Sequence, residues 1–145
     1  MPSLMKFLAI TAAVLFTTTK TANAWYSPGA NSTSIGSMTV QLYDHASDAC
    51  WTNLREAREY AEEKLEIEGY DVLAEGGEYD FIIDVNARRD RGECLGNVVI
   101  TILALSYRNG VGGYHQIGNQ TGSIVDPGNF NTAVIEGISR MIEQM

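Results

Sequence analysis

Apolar and polar residues recur along this chain with two distinct periods, one near 3.6 and one of 2. Between Asp44 and Leu65 the apolar positions Ala46, Cys50, Leu54, Ala57, Ala61 and Leu65 return every three or four residues, which lines them along one face of a helix. The opposite face carries Glu56, Glu59, Glu62, Glu63 and Glu66 and belongs in water. Asp44 or Ser47 is the expected cap, because either side-chain oxygen can accept from an unpaired first-turn N–H. Gly69 stands where a left-handed residue commonly ends a helix. After it the period changes to 2. Tyr70, Val72 and Ala74 alternate with Asp71 and Leu73, and Tyr79, Phe81, Ile83 and Val85 alternate with Asp80, Ile82 and Asp84. Glu75-Gly76-Gly77-Glu78 between them is the expected turn of an antiparallel hairpin.

Upstream, Met38, Val40 and Leu42 alternate with Thr39, Gln41 and Tyr43 and predict a first strand. Downstream, Val98 to Tyr107 is nearly continuous in apolar residues, with Val98, Ile100, Ile102 and Ala104 on one face and Val99, Leu103 and Leu105 on the other. Such a strand belongs in the middle of a sheet, covered on both sides or partly at an interface. Arg108-Asn109-Gly110 holds the Asn-Gly signature of a hairpin turn. The returning strand, Val111 to Gly118, is weakened by its glycines and is expected at an edge, with a bulge or a close backbone approach, either as a place where another chain can add a strand or as a flexible hairpin tip. Asn119 to Gly128 reads as loop. Phe130, Val134, Ile135, Ile138, Met141, Ile142 and Met145 mark a closing amphipathic helix, with Asn129 or Asn131 as caps. The expected fold is α+β: a two-layer sandwich of a five-stranded mixed sheet with two helices on one face, in the order β-α-β-β-β-β-α.

The beginning of the chain changes the setting. A positive charge in Met1 to Lys6, an apolar run from Phe7 to Phe16 and a polar, small-residue stretch ending Ala22-Asn23-Ala24 form the three-part pattern of a cleavable secretory signal, residues 1–24. Trp25 is then the first mature residue, residues 25–37 an extended arm rich in Ser, Gly, Asn and Pro, and residues 38–145 a single domain. The apolar run is too short to anchor in a bilayer, so the expectation is a periplasmic or secreted protein with no membrane insertion after cleavage. The two cysteines, Cys50 and Cys94, are an even count in an exported chain and point to one disulfide. A reactive thiol is the other reading, but no Cys-x-x-Cys and no patterned His supports it.

The chain carries 18 acidic and 10 basic residues, a formal charge of −8, which becomes more negative when Lys6 and Lys20 leave with the signal. Such acidity argues against nucleic acid as a partner, since phosphate backbones demand clustered Lys and Arg. It favours solubility and a partner with a basic surface. Two surfaces stand out. Arg88, Arg89 and Arg91 form a candidate anion-binding cluster, weighed against a solvated hairpin tip neutralised by Asp90 and Glu93. Glu63, Glu66 and Glu68 crowd the last turns of the first helix, where the helix dipole disfavours negative charge, and with Tyr114 and His115 on the edge strand they are candidate partner-binding residues.

No His-Glu-x-x-His, Gly-x-Ser-x-Gly or phosphate-binding Gly loop is present, and no His, Cys and acidic set has metal-ligand spacing. No catalytic residue, metal or cofactor is therefore assigned. Three function classes remain open: an exported non-catalytic binding or assembly protein, a small secreted hydrolase assembled from His115, Asp80 and Asp84, and a disulfide-stabilised secreted inhibitor or effector.

The run Ala57 to Gly69-Tyr70-Asp71-Val72, followed by Glu78-Tyr79-Asp80-Phe81-Ile82-Ile83-Asp84-Val85, resembles the helix, Gly-Tyr, strand and Ala-Asp-Tyr-hydrophobic strand pattern of small bacterial envelope proteins. These include the amino-terminal domain of the Tol-Pal propeller protein, the curli-secretion lipoproteins and the penicillin-binding-protein activator lipoproteins. The resemblance covers about 30 residues and implies a non-enzymatic assembly role, with partners bound by sheet edges or helix faces. The chain departs from several of these proteins in having no lipidation Cys after the signal and an internal Cys pair, and no functional residue is carried over.

Overall fold

In the computed structural model, which describes residues 23–125 and 127–145, the chain runs β1 (Asn23–Tyr26), β2 (Met38–Ala46), α1 (Leu54–Ile67), β3 (Tyr79–Asp90), β4 (Glu93–Arg108), β5 (Val111–Ile124) and α2 (Phe130–Ile142). Most of the expected export signal lies outside the described residues. The strands form one mixed sheet in the order β1-β5-β4-β3-β2. β2 and β3 are parallel neighbours joined through α1, and the β3–β4, β4–β5 and β1–β5 pairs are antiparallel.

Strand alternation decides which side each residue serves. Met38 and Val40 of β2, Phe81, Ile83 and Val85 of β3, and Val98, Ile100 and Ile102 of β4 are all buried on one face. α1 covers that face over β2 with Ala57, Ala61 and Leu65, and α2 covers it over β4 and β5 with Val134, Ile138, Met141 and Ile142. α1 packs on the sheet through the small Ala57 and Ala61 with Leu65, whereas α2 packs through branched and long side chains. Asn129 caps α2 by accepting from the Thr132 N–H at 3.2 Å. Both helices lie on one face, as the sequence predicts, and the opposite face of the sheet is left without a covering layer of described residues.

The expected strand order is wrong. Four long strands and two helices follow one another as β-α-β-β-β-α from Met38 onward, and Tyr70 to Ala74 is not a strand. That segment makes a single parallel bridge, Met38 to Val72, in which the Met38 N–H donates to Asp71 O at 2.7 Å and the Leu73 N–H donates to Met38 O at 2.8 Å. It cannot form a hairpin with β3, because both edges of β3 are already occupied by β2 and β4. A short strand forms instead in a stretch assigned to the signal and arm: β1 pairs Asn23 to Tyr26 with Thr121 to Gly118. The expected cleavage point, after Ala24, falls inside it.

Two boundaries also move. α1 begins at Leu54, beyond the cap expected at Asp44 or Ser47, since β2 continues to Ala46 and Asp48 and Ala49 take left-handed φ values of 55° and 53° that no helix admits. β5 continues to Ile124 through a stretch expected to be loop, and carries the expected bulge, a register shift opposite Ile102 and Leu103.

Candidate interaction surface

Of the two environments the sequence allows for the long strand β4, cover on both faces or an open face, the described residues show the second. Val99, Thr101 and Leu103 point away from the helices and are only partly buried. The register sets Asp84 and Thr121 on either side of Val99, and Ile82 and Asn119 on either side of Thr101. Tyr43 of β2 extends this row beyond Asp84. The open face is thus an apolar band, formed by Ile82, Val99 and Leu103 with the exposed Tyr43, interleaved with Thr, Asn and two carboxylates. Asp80 accepts from Gln41 Nε2 at 2.8 Å, and Asp84 accepts from Asn86 Nδ2 at 2.7 Å and lies 3.6 Å from His45 Nε2.

The band runs on past the body. From Leu105 to Gln116 every residue of the β4–β5 hairpin is exposed, so β4 and β5 leave the sandwich as a bare two-stranded ribbon. By alternation Leu105, Tyr107 and Tyr114 share the open face with Leu103. Tyr107 is 73% and Tyr114 62% exposed, and Val111 on the other side of the ribbon is 72% exposed. The Tyr107 ring lies beside Gly112, its cross-strand partner, where an added Cβ would be 3.0 Å from Cε1. A two-stranded hairpin is marginal in water on its own, and contiguous exposed apolar surface marks interaction sites.

The structure disperses the other candidates. Cys50 and Cys94 are joined by a disulfide with Cα atoms 5.5 Å apart, tying the loop before α1 to the start of β4. Oxidising compartments outside the cytosol sustain such a bond. Arg89 sits opposite Cys94 and acts on backbone: its guanidinium donates to Gly92 O at 2.9 Å and to Asp48 O at 3.2 Å. Arg88 points to the other side of β3, and Arg91 occupies the turn at φ 49°. The three arginines thus do not share a face. Beside the disulfide, a cavity of about 260 Å³ is lined by Cys50, Arg89, Cys94 and Asn129 among others.

Glu63 and Glu66 are exposed and have no ion-pair partner among the described residues. Glu68 lies 3.4 Å from Lys64, whose ammonium also reaches Glu143 at 2.9 Å and so links α1 to the end of α2. The bond to Glu143 raises the Lys64 pKa and lowers that of Glu143. Tyr114 and His115 are both on the ribbon, facing opposite sides, with Tyr114 across from Leu105 and His115 across from Ala104. His115 is therefore on the helix side of the sheet, while Asp80 and Asp84 are on the open face. The hydrolase grouping does not come together. Among the described residues no three His, Cys, Asp or Glu side chains are placed to share a metal ion.

Sequence reasoning missed one polar network. The Tyr26 hydroxyl donates to Gln120 Oε1 at 2.6 Å, and Gln120 Nε2, on a side chain only 1% exposed, donates to Gln144 Oε1. Burial, with a smaller contribution from Tyr70, pushes the Tyr26 phenol up to about 12. Gly118 makes room for the ring, since a Cβ there would be 2.5 Å from Tyr26 Cδ1. The signal for it was a Tyr on an otherwise featureless arm and a Gln amid strand residues, neither of which names its partner.

No protein-family model matches the sequence, and no curated protein matches it. Solved structures do. PelC from Paraburkholderia phytofirmans, described as a dodecamer, is 14% identical over 84% of this chain and 96% of its own, with a TM-score of 0.58. The fold is shared with PelC. A second PelC dodecamer structure agrees at 12% identity, with 85% and 94% of the two chains covered and a TM-score of 0.52. A DUF4136 family protein from Bacteroides thetaiotaomicron is 11% identical, with 86% and 95% covered and a TM-score of 0.58. At these identities the likeness to PelC and the DUF4136 protein is one of fold. It shows an α+β fold of this kind and points to the fold of these proteins rather than to the Tol-Pal propeller protein specifically.

Proposed function

We propose that this chain is an exported, non-catalytic assembly protein of the bacterial envelope that binds another envelope protein through the open sheet face and its extension onto the ribbon. The observation that carries the reading is the continuous band Val99, Leu103, Leu105 and Tyr107, which no described layer covers. The occupant is a protein with an apolar contact surface and a basic rim. Asp80 and Asp84 flank the band, and the chain as a whole is acidic, so like-charged partners are disfavoured and cationic ones steered in. The disulfide fits an oxidising compartment, and the likeness to a protein solved as a dodecamer fits a role exercised through protein contacts. Glu63 and Glu66 lie on the helix layer and present to a partner only from the opposite side.

The test is photo-crosslinking in cells, with a photoreactive side chain at position 103 or, as a control, at position 58 on α1. A defined adduct with an envelope protein is expected from position 103, absent from position 58 and lost in Val99→Lys. Position 103 giving no adduct with another protein, or adducts equal to those from position 58, overturns the reading.

A further inference from the structure

We infer that the outer edge of β5 along Val111–Gln116 is a self-association site, at which two copies of this chain pair edge to edge about a two-fold axis. Among the described residues no strand pairs with this side of β5 there: β1 pairs only with Gly118 to Thr121, and the Ser27 N–H donating to Ile117 O at 2.7 Å ends that coverage. Val111–Gln116 therefore presents open backbone donors and acceptors on a ribbon that stands clear of the body.

Edge strands are ordinarily protected by Lys, Glu or Pro, by brevity, or by a covering segment. The other edge of this sheet has such protection, because β2 is bridged at Met38 by Val72 and carries Asp44. The β5 edge reads Val-Gly-Gly-Tyr-His-Gln and contains no carboxylate, no lysine and no proline. It therefore offers no like-charge clash to a second copy of itself.

The sequence of the edge also fits a second copy in detail. A two-fold axis perpendicular to the sheet sets a residue opposite itself, and a pairing centred on Gly113 sets Gly113 opposite Gly113 of the second copy, Gly112 opposite Tyr114 on the open face and Val111 opposite His115 on the other. Each Tyr114 ring then lies across Gly112 of the partner, the arrangement already seen within the ribbon for Tyr107 and Gly112. The contact is isologous and closes at two copies. It also completes a four-stranded ribbon, which is sturdier than the marginal two-stranded one. Five paired residues a side fall well short of the ~20 to 30 of a standard interface, so the dimer is expected to be reversible, dissociating in the micromolar range.

An antiparallel edge contact has its two-fold axis perpendicular to the sheet, so the open faces of both copies point the same way. A partner would meet a surface of twice the extent, with the avidity that two linked sites confer. This doubling rests on the proposed role of the open face; the edge contact does not.

Sedimentation equilibrium of the purified protein over a range of concentrations tests it, with circular dichroism to confirm that each variant is folded. The natural chain is expected to show a monomer–dimer equilibrium. Val111→Lys should weaken it at least tenfold, since it sets a lysine of each copy against His115 of the other, and His115→Glu, which brings two carboxylates to the seam, should weaken it as well. The double variant should recover dimer, because the introduced lysine of one copy then faces the introduced glutamate of the other, whereas these two positions are not cross-strand neighbours within one copy. A protein monomeric at every concentration, a dimer that Val111→Lys leaves intact, or a double variant no better than either single one overturns the inference. Val99→Lys, which disables the open face, should leave the dimer unchanged, so failure of the edge contact and failure of the face are read separately.

Discussion

The two ends of the central hairpins are built on opposite plans. At one end the β3–β4 turn is tied down: Arg89 donates to Gly92 O and Asp48 O, Cys94 is bonded to Cys50, and the loop before α1 is held to α2 where the Thr52 N–H donates to Asn131 Oδ1 at 3.0 Å and Asn131 Nδ2 donates to Thr52 Oγ1 at 2.8 Å. At the other end the β4–β5 ribbon is held by its own ladder and carries aromatic side chains into water. One end commits its polar groups to internal cross-links, and the other leaves them and its apolar surface free. The cross-links are thus concentrated at the disulfide end and the proposed recognition surface at the ribbon end, a division that proteins commonly show between rigid scaffold and contact segment.

The largest expected effect follows from removing the tie. Replacing Cys50 and Cys94 together by serine reopens a loop of 45 residues, which the chain-entropy model values at roughly 4 kcal/mol. Denaturant titration of the double variant against the oxidised protein should show a loss of about 2–4 kcal/mol at 25 °C. A loss under about 1 kcal/mol would mean that the other contacts at that end hold it without the bond.

The same contrast can be drawn with one substitution made twice in β4 and β5. A Cβ at Gly96 would sit 2.1 Å from Asn86 O and 2.9 Å from Ala87 Cα, both backbone atoms that cannot swing aside, whereas at Gly113 it would meet nothing within 4 Å. Gly96→Ala should cost about 1–3 kcal/mol, and Gly113→Ala should lie within about 0.5 kcal/mol of the parent. Equal costs in thermal or denaturant melts would erase the distinction between a packed end and a free one. On the ribbon, Leu105→Ser with Tyr107→Ser should likewise change stability by no more than about 0.5 kcal/mol, yet lower the yield of the adduct formed from position 103. Charge reversal at Glu63 and Glu66 should leave that adduct unaffected, as both stand on the opposite layer.

How much of this was legible depended on whether a residue's period or its partner carried the information. The central strand and α2 announce themselves, because Val98 to Ala104 and Phe130 to Ile142 have strong patterns and one available burial. The disulfide follows from an even count in a chain whose first residues read as an export signal. Tyr70 to Ala74 has a strand's period too, but β3 has no free edge for it, a fact of sheet order that local alternation does not contain. β1 is the reverse case: Asn23 to Tyr26 has no period at all, and it becomes a strand because β5 offers an edge at Gly118 to Thr121 and Tyr26 finds Gln120. The open face was legible only as an ambiguity, in that Val99 and Leu103 required cover without specifying whose. The arginines were misleading for a geometric reason, since neighbours on a strand point to opposite faces and Arg88 and Arg89 cannot converge.

The smallest effect expected concerns the end of the helix layer nearest the ribbon, where Lys64 joins α1 to Glu143 at the end of α2. Glu143 has its pKa lowered from 4.5, first by the Lys64 hydrogen bond, so its contribution is present above the unfolded value and is lost as pH falls through the lowered folded one. Lys64 has its pKa raised from 10.5, first by the same bond, so its contribution is present below 10.5 and is lost as pH rises through the raised value. The tie is intact between these limits. Glu143→Gln should therefore flatten the fall in melting temperature below about pH 4.5 and lower the plateau at neutral pH only slightly, because the pair is open to solvent and screened. The ribbon has no carboxylate, so its variants should not alter the acid limb. If Glu143→Gln leaves the acid limb as steep as in the parent, the helix ends are held by the packing of Met141 and Leu65 alone and Lys64 contributes nothing to joining them.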